Sequence, residues 1–213
     1  RQTESLDSGV VSAVDKPFKP DGGLCVLNGN LGRGVIKTSA LRDGTDIIKA
    51  PAVVFEDQFE LDAAFNSGKL DKNCIVVVRF QGPKAIGMPE LHRLTPPLGV
   101  LQDKGYKVAL VTDGRMSGAS GKVPAAIHVT PEAYDGGMLA KVQNDDIIEL
   151  NVATGELTLH VSETELAARQ SKQAALDNHR VGMGREMFAG MRNMLTGAEE
   201  GACSLFASQE QVL

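Results

Sequence analysis

The stretch "CIVVVRFQGPKAIGMPELHRLTPPLGVLQDKGYKVALVTDG" (residues 74–114) contains two apolar runs that favour neighbouring buried strands. CIVVVRF (74–80) and VALVT (108–112) are continuously apolar, as strands covered on both faces usually are. A short helix over LGVLQDKGY, ended by Gly105, joins them. A glycine-rich loop follows each run, and ligands of open α/β sheets bind beyond the carboxyl ends of such strands. The stretch therefore predicts an α/β fold with polar loops at one edge of its sheet.

Shorter apolar runs on both sides of this stretch predict more strands. Residues 24–55 alternate apolar runs with glycine turns, and AIHVT (126–130) resembles them. DDIIELNV and ELTLHV, joined at residues 153–155, form a predicted hairpin. The first twenty residues are polar and end in a Pro- and Gly-rich linker. The pattern predicts a β-rich α/β domain over residues 21–213, in the form of a closed or half-closed barrel with helices around it.

Helix signals occur in four further places. Residues 56–69 place Phe59, Ala63 and Phe65 on a helical face, with Gly68 at its end. Pro89 suits the first turn of a helix after the QGPKAIGMPE loop. A capping box at 162–165 opens a helix to about residue 176. Near the C-terminus, apolar residues at helical spacing indicate core packing: Met187, Phe188, Met191, Met194 and Leu195.

Composition excludes several classes of function. A net charge of −5 without a cluster of Lys and Arg argues against nucleic acid. No apolar run is long enough to span a membrane, so we expect a cytoplasmic protein. The three cysteines, Cys25, Cys74 and Cys203, lie far apart, with no CxxC pattern. They are interpreted as small buried residues, not as disulfide partners or metal ligands.

The loop after VALVT groups a hydroxyl with positive charge. Ser117 follows Arg115 and precedes Ser120 and Lys122, with glycines between them. Glycines let backbone N–H groups converge on an anion, and nearby cations favour a serine alkoxide, the form that can remove a proton. The phosphate-loop and nucleophile-elbow patterns both fail here. A simple turn remains the alternative interpretation.

The loop after CIVVVRF offers a second polar group. Glu90 lies just past a predicted buried strand, where a carboxylate can bind a hard cation such as Mg²⁺. Alternatively, Glu90 only favours the positive end of a helix that it starts. His92 is interpreted as packing or solvent-facing, and His128 as a core histidine.

The stretch ALVTDGRMSGAS (109–120) resembles the C-terminal signature of the dihydroxy-acid dehydratase and 6-phosphogluconate dehydratase family. QGPKAIGMPELHRL, GKVPAAIHVTPEAYDGG and GGLCVLNGNLGRGVIKTSA resemble its 6-phosphogluconate branch. The similarity extends from about Phe18 to Cys203. One departure is Ala119, where some relatives place a hydroxyl residue.

This resemblance implies a reaction, its cofactors and its residues. The reaction is dehydration of 6-phospho-D-gluconate to 2-keto-3-deoxy-6-phosphogluconate, a step of the Entner-Doudoroff route. Ser117 would be the base and Glu90 one Mg²⁺ ligand, while an iron-sulfur cluster would act on the leaving hydroxyl. The cluster ligands and other Mg²⁺ ligands of the family belong to an N-terminal domain, so residues 1–20 would be a linker from that missing domain, and none of the cysteines here is a cluster ligand.

The resemblance further implies a swivelling β/β/α barrel-like domain in a homodimer. Candidates for substrate binding, by charge or hydroxyl, are Lys84, Arg115, Ser120 and Lys122, with Arg185 a further candidate for the phosphate. The fragment alone is expected to be inactive. Two alternatives stay open: a dehydratase of the same family for dihydroxy acids or sugar acids, and a noncatalytic swivelling carrier module phosphorylated on His128.

Overall fold

A closed barrel of eight strands forms the centre of the protein. The computed structural model describes residues 5–18, 22–117, 121–179 and 181–205. The strands are β1 (Leu24–Gly29), β2 (Gly32–Lys37), β3 (Ile47–Phe55), β4 (Cys74–Val78), β5 (Val108–Thr112), β6 (Ala125–Thr130), β7 (Ile147–Asn151) and β8 (Glu156–Leu159). The helices are α1 (Gln58–Asn66), α2 (Pro83–Ile86), α3 (Thr95–Asp103), α4 (Glu163–Ala168), α5 (Met183–Met187) and α6 (Ala189–Asn193). The predicted α/β class, with a barrel and surrounding helices, is confirmed.

The barrel combines a parallel half with an antiparallel half. Its strand order is β1-β2-β6-β5-β4-β3-β7-β8. Strands β3, β4, β5 and β6 are mutually parallel, and β7 pairs antiparallel with both β3 and β8. The ring closes where Asn28 of β1 pairs with Glu156 of β8. The predicted hairpin and the predicted adjacency of β4 and β5 are therefore confirmed.

Both central strands are buried on two faces, as their unbroken apolar sequences predict. Along β4, Ile75 and Val77 point into the barrel and pack in one apolar cluster. Val76 and Val78 point outward into a second cluster, which includes residues of α1 and α3. All four side chains are 0% exposed. Burying each aliphatic side chain contributes about 1.5–3 kcal/mol, so this double-sided packing fixes the strand ends from which the polar loops start.

Helix α1 exists, but the predicted apolar face is wrong. Leu61 and Ala64 are its buried residues, whereas Phe59 is 57% exposed. The ring of Phe59 lies 5.0 Å below the guanidinium of Arg93. A face drawn through Phe59, Ala63 and Phe65 misses the barrel because Leu61, placed between them, is the side chain that reaches the core.

The segment after β4 contains no helix at Pro89. The short helix α2 lies earlier, over Pro83–Ile86, and is capped by Gly87, which has a left-handed φ of +81°. Glu90 instead pairs with Arg115 in an isolated parallel bridge. A 3₁₀ helix, His92–Leu94, begins two residues after Glu90 and leads into α3, so the loop does run into a helix, but Glu90 lies before its first turn and is held by the bridge. His92 is exposed, as predicted.

Helix α4 is shorter than its capping signal suggested. The hydroxyl of Ser162 accepts the Glu165 N–H as predicted, but the helix ends at Ala168, not near residue 176. Arg169 leaves the helical conformation and forms a two-pronged ion pair with Asp146, with distances of 2.6 and 2.8 Å. Both side chains are only 9% exposed. Because Arg169 pairs with Asp146 in an extended backbone conformation, the helix cannot continue past Ala168.

The C-terminal apolar stripe does not pack in the core. Helices α5 and α6 are five residues each and have no buried residue. Met187, Phe188 and Met194 are at least half exposed. The core-packing interpretation of this stripe is therefore wrong: a bend at Phe188 splits the predicted helical face into two pieces too short to cover the barrel. Within the described ranges, every helix is too short or too polar to span a lipid bilayer.

Candidate active site

Two loops, one after β4 and one after β5, lock together through their backbones. Glu90 and Arg115 pair as a parallel bridge. The Leu91 N–H donates to the Arg115 carbonyl over 3.2 Å, and the Arg115 Nε donates to the Met88 carbonyl over 2.7 Å. Since neighbouring parallel strands end at the same edge of the sheet, both loops emerge side by side. The bridge then sets their mutual distance.

The Glu90 carboxylate joins the two predicted functional residues. Its Oε1 accepts the backbone N–H of Ser117 over 2.7 Å, and its Oε2 accepts a guanidinium N–H of Arg115 over 3.1 Å. The Glu90 side chain is 29% exposed, and Ser117 is exposed. Ser117, Glu90 and Arg115 therefore form one solvent-accessible group, although 27 residues separate the serine from the glutamate in the sequence.

A buried carboxylate lies at the base of this group. Asp113 is 1% exposed and is the first residue after β5, on the loop that carries Ser117. Its Oδ1 accepts the Gln81 N–H over 2.9 Å, and its Oδ2 accepts the N–H groups of Phe80 and Ala133 over 3.1 and 2.9 Å. Burial raises the pKa of Asp113, while these backbone donors act to lower it. The carboxylate thus ties together the loops that follow β4, β5 and β6.

Glu132 supports the same region from the β6 side. Its carboxylate accepts the N–H groups of Lys84 and Ala85 over 3.0 and 3.1 Å, at the start of α2. Gly82 permits this approach, since a Cβ there would lie 2.2 Å from a Glu132 carboxylate oxygen. Burial raises the pKa of Glu132, against the effect of the two backbone donors. The Glu132 carboxylate therefore caps the N-terminus of α2 from the loop that follows β6.

Three residues in left-handed conformations surround the site. Phe80, Met88 and His128 have φ values of +62°, +54° and +55°. Each takes part in the loop network: the Phe80 N–H reaches Asp113, the Met88 carbonyl accepts from Arg115, and the His128 N–H donates to the Gly114 carbonyl over 2.9 Å. Such conformations are costly for residues other than glycine and concentrate at functional sites.

His128 is half-buried on β6 and does not lie in the apolar core. Burial, and then the charge of Arg115, lower its pKa below the ordinary value of 6.5. The neutral imidazole is therefore favoured at pH 7, and the ring lies within electrostatic range of Arg115. The predicted core position of His128 was wrong, because its side chain lines a surface pocket together with Arg33 and Glu199.

The other predicted substrate-binding residues are spread more widely. Lys84 forms an ion pair with Asp135 in a cleft of about 220 Å³, which is also lined by Glu132 and two glutamates near the C-terminus. The hydrogen bond to Asp135 raises the pKa of Lys84. A phosphate there would face several carboxylates, so the electrostatics weigh against this role. Lys122 is exposed on the serine loop, whereas Ser120 and Ala119 lie outside the described residues.

Arg185 lies on the exposed C-terminal segment. Its guanidinium donates to the His179 carbonyl over 2.8 Å. No contact in the described part of the chain joins it to the Glu90 group. Its role in phosphate binding stays a prediction, as do the roles of Ser117, Glu90 and the other candidates.

Metal ligands are not grouped within the described ranges. There, no set of three or more His, Cys, Asp or Glu side chains is arranged to hold a metal ion. Cys74 is buried on β4, and burial raises the pKa of its thiol to about 11. Cys25 and Cys203 are half-buried. Glu90 remains a single oxygen ligand whose partners, if it binds Mg²⁺, must come from elsewhere.

Fold and site together define an α/β barrel domain with a serine, a carboxylate and a guanidinium on two interlocked loops. The family model described as Dihydroxy-acid/6-phosphogluconate dehydratase C-terminal matches residues 9–202. The chain belongs to this family, so the resemblance drawn from ALVTDGRMSGAS and the flanking stretches is confirmed.

The chain is similar to proteins named phosphogluconate dehydratase and, at lower identity, to one named dihydroxy-acid dehydratase. The phosphogluconate dehydratase of Escherichia coli K12 is 62% identical over 199 residues, which are 93% of this chain and 33% of that protein. The one from Pseudomonas aeruginosa PAO1 is 55% identical over 204 residues, 96% of this chain and 33% of that protein. The dihydroxy-acid dehydratase of Ruminiclostridium cellulolyticum is 35% identical over 173 residues, 79% of this chain and 31% of that protein. The chain spans about a third of the length of these relatives.

Proposed function

We propose that this chain is the C-terminal portion of a hydro-lyase that dehydrates 6-phospho-D-gluconate to 2-keto-3-deoxy-6-phosphogluconate, a step of the Entner-Doudoroff pathway. The observation that carries the proposal is the hydrogen bond from the Ser117 backbone to the Glu90 carboxylate, which places a hydroxyl residue beside a candidate metal ligand. Higher identity to proteins named phosphogluconate dehydratase than to a dihydroxy-acid dehydratase supports the choice of substrate.

The reaction needs a base, a cation and help for a poor leaving group. The proton on C2 lies next to a carboxylate and is only weakly acidic, so its removal requires a basic group and stabilisation of the negative charge that develops. In this proposal the Ser117 Oγ, as an alkoxide, takes the C2 proton. Arg115, on the same loop, contributes positive charge, and so does the exposed Lys122. These cations favour the alkoxide over the hydroxyl.

Glu90 fits the role of one Mg²⁺ ligand. Mg²⁺ prefers carboxylate oxygens, keeps several waters and is commonly held by one or two protein carboxylates. The Glu90 oxygens are partly exposed, which agrees with this requirement. When bound, Mg²⁺ would supply positive charge next to the substrate carboxylate. Glu90 itself would hold that charge close to Ser117 through the existing backbone contact.

An iron-sulfur cluster does not fit the described part of this chain. Its three cysteines lie far apart in the sequence, and no group of metal-binding side chains is formed there. As the family resemblance implies, the proposal places the cluster and the other Mg²⁺ ligands in an N-terminal domain of the same enzyme, with residues 1–20 as a linker. A homodimer in the cytoplasm and a swivelling motion of the barrel complete the proposal, and the fragment alone would be inactive.

A comparison of two substrates tests the choice within the family. The complete enzyme is incubated with 6-phosphogluconate and, separately, with 2,3-dihydroxyisovalerate, and formation of the 2-keto acid is measured. The proposal expects the larger kcat/KM on 6-phosphogluconate. A larger value on 2,3-dihydroxyisovalerate would establish the dihydroxy-acid alternative, which the relative from Ruminiclostridium cellulolyticum favours. Phosphorylation of His128 by a phosphoryl donor, detected by mass, would instead support a carrier module.

A further inference from the structure

We propose that Asp113 is a positioning residue for the proposed reaction: its buried carboxylate fixes the loop that carries Glu90 against the loop that carries Ser117. The inference rests on the proposed function, because it assigns Asp113 a task only if those two residues act together. Asp113 would not touch the substrate. It would act through the backbone of both loops.

The first argument is the position of the carboxylate between the loops. Asp113 precedes Ser117 by four residues and holds the N–H groups of Phe80 and Gln81, which open the Glu90 loop. A third donor, Ala133, adds the loop after β6. A single side chain that is 1% exposed therefore satisfies three buried donors from two other loops. Buried backbone donors need such partners.

The second argument is the close packing between the two loops beside Asp113. A Cβ placed on Gly114 would lie 2.6 Å from the Leu91 Cδ1 and 2.7 Å from the Gln81 Cβ. The Leu91 N–H then bonds to the Arg115 carbonyl, one residue further along. The loops are thus held at one end by Asp113 and at the other by the Glu90–Arg115 bridge. Because the packing between the loops is tight, loss of the Asp113 hydrogen bonds should also weaken the Glu90–Arg115 bridge.

The third argument is the conformation of the residues that Asp113 holds. Phe80 has a left-handed φ of +62°, an unfavourable state for a bulky side chain. Its N–H is one of the three that the carboxylate accepts. The carboxylate therefore stabilises a strained turn where β4 ends, and this turn sets the direction in which the Glu90 loop leaves the barrel.

Asp113→Asn removes this attachment with little change in size. Asparagine has one carbonyl oxygen and one NH₂ group, so it leaves either the Gln81 N–H, or both the Phe80 and Ala133 N–H groups, facing another donor. The control is Asp146→Asn. The Asp146 side chain is also largely buried and also accepts a backbone N–H, from Gln143, but its partners, Gln143 and Arg169, belong to neither of the two loops.

The first measurement uses the 213-residue chain and requires no activity. Amide hydrogen exchange is followed for Leu91, whose N–H bridges the loops, and for Val76 in the centre of β4. We expect Asp113→Asn to speed exchange at Leu91 by about tenfold relative to Val76, because a buried donor has lost its partner. Asp146→Asn should change the two amides equally. Equal acceleration of both amides in Asp113→Asn, or none at Leu91, would overturn the proposal.

The second measurement uses the complete enzyme. Asp113→Asn is expected to lower kcat about tenfold or more while KM changes little, because misplacement of reacting groups acts on the chemical step. Asp146→Asn should keep kcat close to that of the wild type. Wild-type kcat in Asp113→Asn would refute the positioning role. Inactivity of the wild-type enzyme on 6-phosphogluconate would refute only the proposed function, since the exchange measurement still reads the coupling of the loops.

If Asp113→Asn does not fold, the wild-type chain gives a second test. The amides of Phe80 and Gln81 are held by Asp113, and the amide of Leu91 bridges the two loops, so all three should exchange through one shared opening and respond equally to added urea. Much faster exchange at Leu91 than at Phe80 and Gln81, with a weaker response to urea, would contradict the inference.

Discussion

Glu90→Gln separates a metal ligand from a residue that only stabilises the fold. Glutamine keeps an oxygen for the Ser117 N–H, but it loses the ion pair with Arg115. The Glu90 and Arg115 side chains are 29% and 48% exposed, and ion pairs this accessible contribute about 0–1 kcal/mol. For a chain of this length, about 0.5 kcal/mol lowers the unfolding midpoint by about 1–2 °C.

The effect on Mg²⁺ should be much larger. Loss of an outer-shell partner of a metal already costs about 10–100-fold in affinity, so loss of a ligand oxygen should cost about tenfold at the least. Thermal unfolding of the chain gives the first quantity, and titration calorimetry of the complete enzyme with Mg²⁺ gives the second. Asp71→Asn is the matched control, because Asp71 pairs with Lys104 over the same 3.1 Å at similar exposure.

Two results would refute this reasoning. If Glu90→Gln leaves Mg²⁺ affinity unchanged, Glu90 is not a ligand. If Glu90→Gln lowers the unfolding midpoint far more than Asp71→Asn does, the Glu90–Arg115 pair is chiefly structural. The expected pattern is an equally small stability change in both variants, with a loss of Mg²⁺ affinity in Glu90→Gln alone.

Three further predictions concern groups whose surroundings shift their pKa. The Cys74 thiol, with its pKa raised by burial to about 11, should resist a thiol reagent at pH 8 in the folded chain, while the two half-buried cysteines react; equal rates for all three would contradict this. His128 should titrate below 6.5 in an imidazole NMR experiment and move upward in Arg115→Ala, since burial and then the Arg115 charge lower its pKa; an unshifted titration would be inconsistent with the geometry. Burial acts to raise the pKa of Asp146, but the Arg169 hydrogen bond, a backbone N–H and the Arg169 charge together lower it. The Asp146 carboxylate therefore stabilises the fold above about pH 4, and this contribution is lost as pH falls through the lowered pKa. At pH 7 the free energy of unfolding, measured with urea, should be about 2 kcal/mol lower in Asp146→Asn than in the wild type. This difference should shrink at acid pH.

The barrel strands were predictable because their signals are local. CIVVVRF and VALVT are short and continuously apolar, which favours strands covered on two sides, and both faces of these strands pack in apolar clusters. The hairpin at residues 153–155 was equally clear from its short turn. Closure of the barrel was harder to predict from the sequence, because the β1–β8 contact joins residues more than 120 positions apart.

The helices were predicted less well because tertiary contacts set their ends and faces. Helix α4 ends before Arg169, which pairs with Asp146, and no local sequence pattern predicts a partner 23 residues away. The stripe from Met187 to Leu195 has the periodicity of a buried helix, yet it is broken at Phe188 and exposed. Periodicity identifies an apolar face without saying what that face contacts.

The site was found in part from residue types and in part not at all. Ser117, Glu90 and Arg115 stood out because hydroxyl, carboxylate and guanidinium groups followed neighbouring predicted strands. Asp113 and Glu132 were missed as structural centres, because an acidic residue in a loop is ordinarily solvated. The signal that could have found Asp113 is its place directly after a fully apolar strand, where an acidic side chain needs several donors to remain buried.

The most direct test of the proposed chemistry is loss of the Ser117 hydroxyl in the complete enzyme. Ser117→Ala keeps the backbone N–H on Glu90, so Mg²⁺ and substrate binding should persist while kcat falls about a hundredfold or more. Exchange of the C2 hydrogen of 6-phosphogluconate with deuterated water should stop in the same variant. Wild-type exchange and turnover without the Ser117 hydroxyl would show that another group removes the proton.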